Sequence, residues 1–322
     1  MTPQSYKSHK WLNFFHSVLI LTGMGLILCL LGWLMAGKPG IFWSLFIGLI
    51  VVIITSRISP TAVLRMQNAR FLHRSQAPRI HQVISELSRK AGLSSRPALF
   101  YIPGRAVNAF SMGQKEKAVI AMTDGMLRSL NFREIVGVLA HEISHIRNND
   151  IWIMNLADAA GRVTSMLALT GQLLLLLNLP LLLMDEYHIS WWIIAVLIFA
   201  PTVSAVMQLA LSRTREFDAD MDAAVLTGDP LGLAQALAKL EYSSGTWLDR
   251  ILWTGKKSGL PTLLRTHPRT EDRIRRLIRL AEDIKEQPGT GPDRSFAVLP
   301  ADLHPLRTGP VKRLLSRWFQ VF

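Results

Sequence analysis

Long apolar runs dominate the N-terminal part of the chain. Residues 11–36 contain no charged side chain, and at about 1.5 Å per residue the part from Val18 onward approaches the ~30 Å hydrocarbon core of a bilayer. After a turn at residues 37–40, the run 41–56 ends before Arg57 and covers only about 24 Å as a straight helix. The pattern predicts two transmembrane helices in a hairpin. A removable signal peptide is the alternative for the first run.

Two further apolar runs lie in the middle of the chain, at residues 163–184 and 189–211. Trp191 and Trp192 stand where an interfacial aromatic belt is expected. With the first hairpin, the pattern predicts four transmembrane helices in two hairpins. The short turns hold few basic residues, whereas the tails and residues 57–162 hold many. The positive-inside rule therefore places both termini and the large polar segments in the cytoplasm.

The polar segment after the first hairpin combines helical and strand patterns. Residues 61–91 have the pattern of helices. Short runs rich in apolar residues then alternate with Gly and Pro, and they predict three strands of a small sheet, at residues 98–102, 107–112 and 117–122. The predicted fold class is therefore mainly α with a small β-sheet, that is, α+β.

A helix is predicted over residues 132–148, because Asn131 is followed three residues later by Glu134 in a capping box before an apolar-periodic run. Within this helix the sequence HEISH places His141 and His145 four residues apart. Both imidazoles then project from one face and can reach one metal ion. The alternative is a surface helix with two incidental histidines.

A catalytic zinc site needs a third protein ligand and an open position for water. The helical segment after the fourth apolar run offers acidic candidates: Glu216, Asp218, Asp220 and Asp222. Glu216 and Asp220 share a face at i, i+4 spacing, so Glu216 is the economical ligand and Asp220 would accept a ligand histidine N–H. Glu142 lies about 100° round the helix from His141 and can address a ligand of the metal without binding it. The alternative for the acids is a solvated helix face that balances neighbouring arginines.

Composition narrows the classes of function. The net charge is +13, with 36 Lys and Arg against 23 Asp and Glu. No aromatic-interleaved basic patch accompanies this charge, so attraction to an anionic membrane leaflet explains it better than nucleic-acid binding does. The single cysteine, Cys29, lies in the first apolar run, which excludes a disulfide framework and a cysteine-based metal site.

Four short motifs, taken together, resemble a known family. They are HEISH at residues 141–145, NAF at 108–110, RTREFDAD at 213–220 and HPRTEDR at 267–273. Interleaved with the four apolar runs, they resemble the HtpX-type membrane zinc metalloproteases, relatives of the prenyl-protein (CAAX) proteases. The resemblance covers about residues 15–285. It implies a cytoplasmic zincin-like catalytic domain with one Zn²⁺ per chain.

The resemblance also implies roles for individual residues. The metal ligands would be His141, His145 and Glu216, with Asp220 behind them. Glu142 would be the catalytic glutamate, with His267 and Arg273 at the active site. The strand at Asn108, Ala109 and Phe110 would pair with substrate backbone.

Two of these assignments have alternatives in the residues themselves. His267 or Arg273 could donate to the oxyanion, or the pair could simply begin a basic amphipathic helix. Asn108 and Phe110 could be a turn residue and a core aromatic.

The expected organisation has five segments. They are the first hairpin with its tail (1–58), the first catalytic half (59–162), the second hairpin (163–211), the second catalytic half (212–286) and a Pro/Gly-rich tail (287–322). The tail should be a flexible linker that ends in an amphipathic helix, which either anchors at the membrane interface or docks on the protein.

We expect a multi-pass endopeptidase of the cell membrane that cuts cytoplasmic segments of membrane or misfolded proteins, as in protein quality control. Its partners would be protein substrates and the lipid bilayer, with no nucleic acid; oligomeric partners are left open. Two alternatives stay open: a processing protease with a narrow substrate set, and a non-catalytic membrane scaffold or chaperone.

Overall fold

A computed structural model describes residues 3–56, 60–113, 115–177, 179, 191–243 and 270–286. His267 and the tail 287–322 lie outside these ranges, so the predictions made for them have no structural counterpart. The chain divides into two units. We call residues 59–151 and 215–322, with residues 1–7, the polar unit, and residues 8–58 and 152–214 the apolar unit.

The apolar unit begins with a helix, α1 (Pro3–Ser56), that is interrupted at Ala36 and Gly37. Gly37 has a φ of 62°, in the left-handed region that favours glycine. A Cβ on Gly32 would lie only 2.4 Å from the carbonyl oxygen of Gly40, whereas residues eight apart in a straight helix are about 12 Å apart. The chain therefore folds back at Gly37 into a helical hairpin.

The long helices α6 (Asp150–Leu177) and α7 (Trp191–Thr227) follow later in the chain. By length and composition, three described helices can cross a membrane: Trp11–Thr55, Asp150–Leu177 and Trp191–Thr227. Residues 180–190, which include the end of the third predicted span, the turn and the start of the fourth, lie outside the described ranges. The count of four spans therefore stays a prediction.

Pro201 lies inside α7 and has no N–H to donate to the carbonyl of Leu197 one turn earlier. The Gln172 side chain of α6 donates to this carbonyl at 2.9 Å. Because a backbone carbonyl without a partner is costly in an apolar surrounding, this contact stabilises the interrupted helix.

The polar unit contains short helices and a small mixed sheet. Its first elements are α2 (Pro60–Met66), β1 (Arg70–Phe71), α3 (Pro78–Lys90), β2 (Ala98–Ile102), β3 (Ala109–Met112), β4 (Val119–Thr123) and α4 (Asp124–Ser129). The strand order is β1-β2-β4-β3, with β2 and β4 parallel and the other neighbours antiparallel. The prediction of a mainly helical chain with a small sheet is confirmed.

Two details of the prediction were wrong. Residues 61–91 were expected to form helices, and α2 and α3 lie there, but the segment also contains the two-residue strand β1, which is too short to show a period of two. Strands β3 and β4 each begin two residues later than predicted, at Ala109 and Val119.

The helix α5 (Phe132–Asn148) has the predicted bounds. The Asn131 side chain accepts from the Glu134 N–H at 2.9 Å, and the Glu134 carboxylate accepts from the Asn131 N–H at 2.8 Å. This capping box satisfies two N–H groups that the first turn leaves without helical partners. Asn149 ends the helix in the left-handed conformation, with a φ of 59°.

Two more helices, α8 (Pro230–Ser243) and α9 (Thr270–Glu286), complete the described part of the polar unit. Helix α5 is buried along most of its length, and Leu139 and Ile143 are fully buried in the core. Helix α8 crosses α5 closely at Gly137, where a Cβ would lie 2.8 Å from the backbone nitrogen of Leu233. The helix that carries HEISH is therefore packed against α8 and, through Leu139 and Ile143, into the core of the polar unit.

We expect Gly137→Ala to destabilise the protein, although alanine is the better helix former by about 1 kcal/mol. The added Cβ meets the backbone of α8, and such overpacking typically costs about 1–3 kcal/mol. Thermal unfolding followed by tryptophan fluorescence should show a melting temperature several degrees lower. Gly25→Ala is the matched control, because a Cβ there meets nothing within 4 Å. Equal melting temperatures for the two variants would contradict the close packing at Gly137.

Candidate metal centre

Three side chains converge in the polar unit: His141 and His145 from α5 and Glu216 from α7. The Nε2 atoms of the two histidines are 3.0 Å apart. The Glu216 carboxylate oxygens lie 3.4 Å from Nε2 of His141 and 3.7 Å from Nε2 of His145. Tetrahedral zinc with bonds of about 2.0–2.1 Å places its ligand atoms about 3.3 Å from each other. The three donors therefore fit a single zinc ion.

A carboxylate lies behind each imidazole. The Nδ1 atom of His141 is 3.0 Å from an Asp220 oxygen, and Nδ1 of His145 is 2.9 Å from an Asp150 oxygen. A carboxylate beside Nδ1 favours a proton on that nitrogen and leaves the Nε2 lone pair directed at the other donors, which is the tautomer that a metal ligand needs. The two rings therefore present their Nε2 atoms to the same place, beside Glu216.

Sequence reasoning missed Asp150, although it follows HEISH by only five residues. Its position depends on Asn149, whose left-handed backbone turns the chain between α5 and α6. A helix continued past Asn148 would have carried residue 150 along the axis, so spacing alone could not place it beside His145. An acidic residue just after a predicted helix end was the available signal.

Arg273 on α9 joins the two carboxylates of α7. Its Nε and Nη2 atoms donate to the two Asp220 oxygens at 2.7 and 2.6 Å, and its Nη1 lies 2.7 Å from Glu216. The guanidinium is 4% exposed. Planar bidentate pairs of this kind fix a carboxylate in orientation as well as in charge. Arg273 thus lies at the cluster of candidate ligands.

A second arginine, Arg215, contacts carboxylates on the His145 side of the cluster. Its guanidinium lies 3.5 Å from Asp150 and 3.0 Å from Asp218. The alternative of a solvated helix face does not hold for these acids, because Glu216, Asp218 and Asp220 are all buried. Arg215, one of the arginines that would balance them in that alternative, is buried with them.

The carboxylates change the proton affinity of the histidines. Burial lowers the pKa of His141, but Asp220 and Glu216 outweigh it and raise the pKa to about 9. In His145, burial and the neighbouring His141 act downward, yet Asp150 and Glu216 leave its pKa raised as well. The surroundings therefore favour positive charge at the ring nitrogens, and a divalent cation supplies such charge between the same atoms.

Glu142 follows His141 on α5 and is 7% exposed. Its charge contributes to the raised pKa of Arg273, against the lowering effect of burial and together with Asp220 and Glu216. Its carboxylate therefore acts on the same polar cluster, although α5 projects it in a different direction from the histidines.

Strand β3 lies beside α5 and, in the part of the chain that the structure describes, forms an edge of the sheet. Just before it, Asn108 accepts at its carbonyl from the Thr123 N–H at 3.0 Å. Phe110 is 5% exposed and packs among core residues, which is the core-aromatic alternative. In antiparallel pairing, backbone groups point alternately to the two sides, so Ala109 and Ser111 direct their N–H and C=O groups away from β4.

Comparison with known proteins identifies the family. Residues 74–281 match Peptidase family M48. The chain is 33% identical over 309 residues to the Protease HtpX homolog of Bifidobacterium longum, a match that covers 90% of this chain and 99% of that relative. It is 35% identical over 278 residues to the Protease HtpX homolog of Persephonella marina, with 81% and 94% covered.

The crystal structure of S. mikatae Ste24p resembles the fold, with a TM-score of 0.45 and 22% identity, over 83% of this chain and 66% of that one. The family match and the relatives confirm both the resemblance drawn from the four motifs and the expectation of a peptidase. The chain belongs to Peptidase family M48.

Proposed function

We propose that the chain is a membrane-embedded zinc endopeptidase that cuts cytoplasmic segments of membrane or misfolded proteins. The observation that carries this proposal is the convergence of His141, His145 and Glu216 within ligand distance of one point. Two imidazoles with carboxylates behind them are the usual surroundings of a metal ligand. The family's peptidase activity supplies the reaction class.

Zinc at this site would supply Lewis acidity, which polarises a carbonyl and lowers the pKa of bound water to about 7. Glu142 then acts as the general base, taking the proton of the attacking water and returning it to the leaving amine. Asp220 and Asp150 keep the Nε2 atoms of the histidines turned toward Glu216, where the three side chains would hold the ion. Arg273 holds Glu216 and Asp220 in place, so we assign it a positioning role.

The substrate would bind as an extended peptide along β3. Main-chain groups of Ala109 and Ser111 offer hydrogen bonds at the sheet edge, and pairing of this kind depends little on side-chain identity. Glu216 follows Leu211, the end of the apolar run, by five residues on the continuous helix α7, or about 7–8 Å along the axis. Both features favour unfolded segments that are close to a membrane surface.

Metal content and activity should separate two glutamate variants. We expect Glu216→Ala to lose zinc and activity together, because a ligand is removed. Glu142→Gln should keep about one zinc per chain but lose a factor of about 10²–10⁴ in turnover, since only the base is removed. Elemental analysis and cleavage of an unfolded protein measure the two effects. A folded wild-type chain without zinc would instead favour the scaffold alternative.

Asp150→Asn should weaken zinc binding by about 10–100-fold, because the ring of His145 loses the charged group that orients it. Titration against a zinc chelator measures the affinity independently of activity. Asp283→Asn, on the exposed side of α9, removes the same charge away from the metal centre and serves as the control. Equal affinities for the two variants would rule out a positioning role for Asp150.

Ser111→Pro should raise KM for an unfolded substrate about 2–10-fold, because proline removes one outward N–H from β3 and one net hydrogen bond contributes about 0.5–1.5 kcal/mol. Ser111→Ala keeps the N–H and should leave KM unchanged. Steady-state kinetics with both variants distinguish backbone pairing from side-chain recognition. An equal rise in KM for both would refute strand pairing at this edge.

A further inference from the structure

A cavity of about 460 Å³ lies between α6 and α7 in the apolar unit. Its polar lining consists of Asp158, Arg162, Ser165, Ser204 and Gln208, beside the apolar Met166 and Pro201. Charged side chains in helices of this apolar character are rare and usually mark a functional site. None of these residues takes part in the proposed peptidase reaction.

The cavity presents one negative and one positive group. Arg162 Nε donates to an Asp158 carboxylate oxygen at 2.9 Å, one helical turn away. The two side chains remain partly exposed, Arg162 more so than Asp158. Such exposed pairs are held together weakly. Each partner can therefore also bind a group of opposite charge on a ligand.

Ser204 has a buried hydroxyl, and the residue is 1% exposed. Among the described residues this hydroxyl has no hydrogen-bond partner. Serines in helices commonly donate to the carbonyl four residues earlier, as Ser165 does to Gly161 at 2.9 Å. A buried hydroxyl without this bond is costly, and a polar group in the cavity would satisfy it.

One wall of the cavity depends on a close contact between α6 and α7. Gln208 reaches across from α7 and donates to the carbonyl of Ala157 at 3.0 Å. A Cβ on Gly161 would lie 1.8 Å from the Gln208 amide nitrogen. The amide therefore occupies its position only because residue 161 has no side chain. The two helices are thus fixed to each other beside the cavity.

The cavity lies towards one end of the apolar part of both helices. Ser204 and Gln208 follow Trp191, an exposed aromatic, by about 20 and 25 Å along α7, so they lie within about 10 Å of the far edge of a ~30 Å hydrocarbon core that begins at Trp191. On α6, Arg162 is the last charged residue before an apolar run. Beyond it, Met166 and Leu169 are 64% and 57% exposed. The cavity thus stands where polar headgroups meet acyl chains.

We propose that this cavity binds one phospholipid whose headgroup carries both a phosphate and a primary ammonium group, as phosphatidylethanolamine does. Arg162 and the Ser204 hydroxyl bind the phosphate, and Asp158 binds the ammonium group. The acyl chain runs along Met166. A headgroup with only negative charge offers Asp158 no positive group and places a phosphate close to it, so the cavity selects the zwitterionic lipid.

Lipid competition tests this proposal on the full chain. The protein is reconstituted in vesicles of equal phosphatidylethanolamine and phosphatidylglycerol and extracted in mild detergent, and the retained lipids are quantified by mass spectrometry. We expect roughly tenfold enrichment of phosphatidylethanolamine, as one charge-assisted contact provides. Asp158→Asn should abolish the enrichment but keep bound phospholipid. Arg162→Gln should lose retention of both lipids.

Arg213→Gln is the matched control, because this arginine is exposed near the end of the apolar unit and does not line the cavity. It should retain the wild-type ratio of lipids. Ser204→Ala, a small change that preserves the helix, should lower retention even if an Arg162 variant does not fold. Equal retention of the two lipids by the wild type, or an unchanged ratio in Asp158→Asn, would overturn the proposal.

Discussion

Buried carboxylates need positive charge close to them, and this requirement determines how the polar unit is assembled. Asp150, Glu216, Asp218 and Asp220 are each at most 6% exposed. Leaving such groups ionised without partners would cost several kcal/mol each. Arg273 from α9 and Arg215 from α7 provide fixed positive charge. The ring nitrogens of the two histidines contact Asp150, Glu216 and Asp220 as well. Three helices that are distant in sequence are thereby held at one point.

The arrangement also explains why the histidines have a single orientation. An imidazole can rotate and exchange tautomers when only one of its nitrogens is bound. Here each ring has a carboxylate at Nδ1 and faces the Glu216 carboxylate at Nε2. Capping at both ends of α5 fixes the backbone beneath the rings, and the close crossing of α8 at Gly137 prevents the helix from shifting. Orientation at the site is therefore maintained by packing and by charge together.

Much of this could be read from local sequence because the signals are local. The bounds of α5 follow from Asn131 and Glu134, and the pairing of the histidines follows from their spacing on a helix. Glu216 was reached through its i, i+4 relation to Asp220. The contacts of Arg273 with Asp220 join residues 53 apart, and the sheet order inserts β4 between β2 and β3. Such long-range pairings leave no periodic pattern in the sequence. A single sequence therefore indicates them only through resemblance to a family.

The geometry of Arg273 bears on which group stabilises the oxyanion. A guanidinium has five N–H groups in a fixed plane. Three of its nitrogens already face carboxylates at 2.6–2.7 Å. Turning the plane toward a substrate carbonyl would break the bidentate pair with Asp220 and leave that buried carboxylate, and Nδ1 of His141 behind it, without charge balance. A lysine could neutralise one carboxylate but could not bridge both in one plane. The position thus favours arginine as the group that holds the candidate ligands, and in the proposed reaction oxyanion stabilisation is better assigned to a group that does not hold a candidate ligand in place.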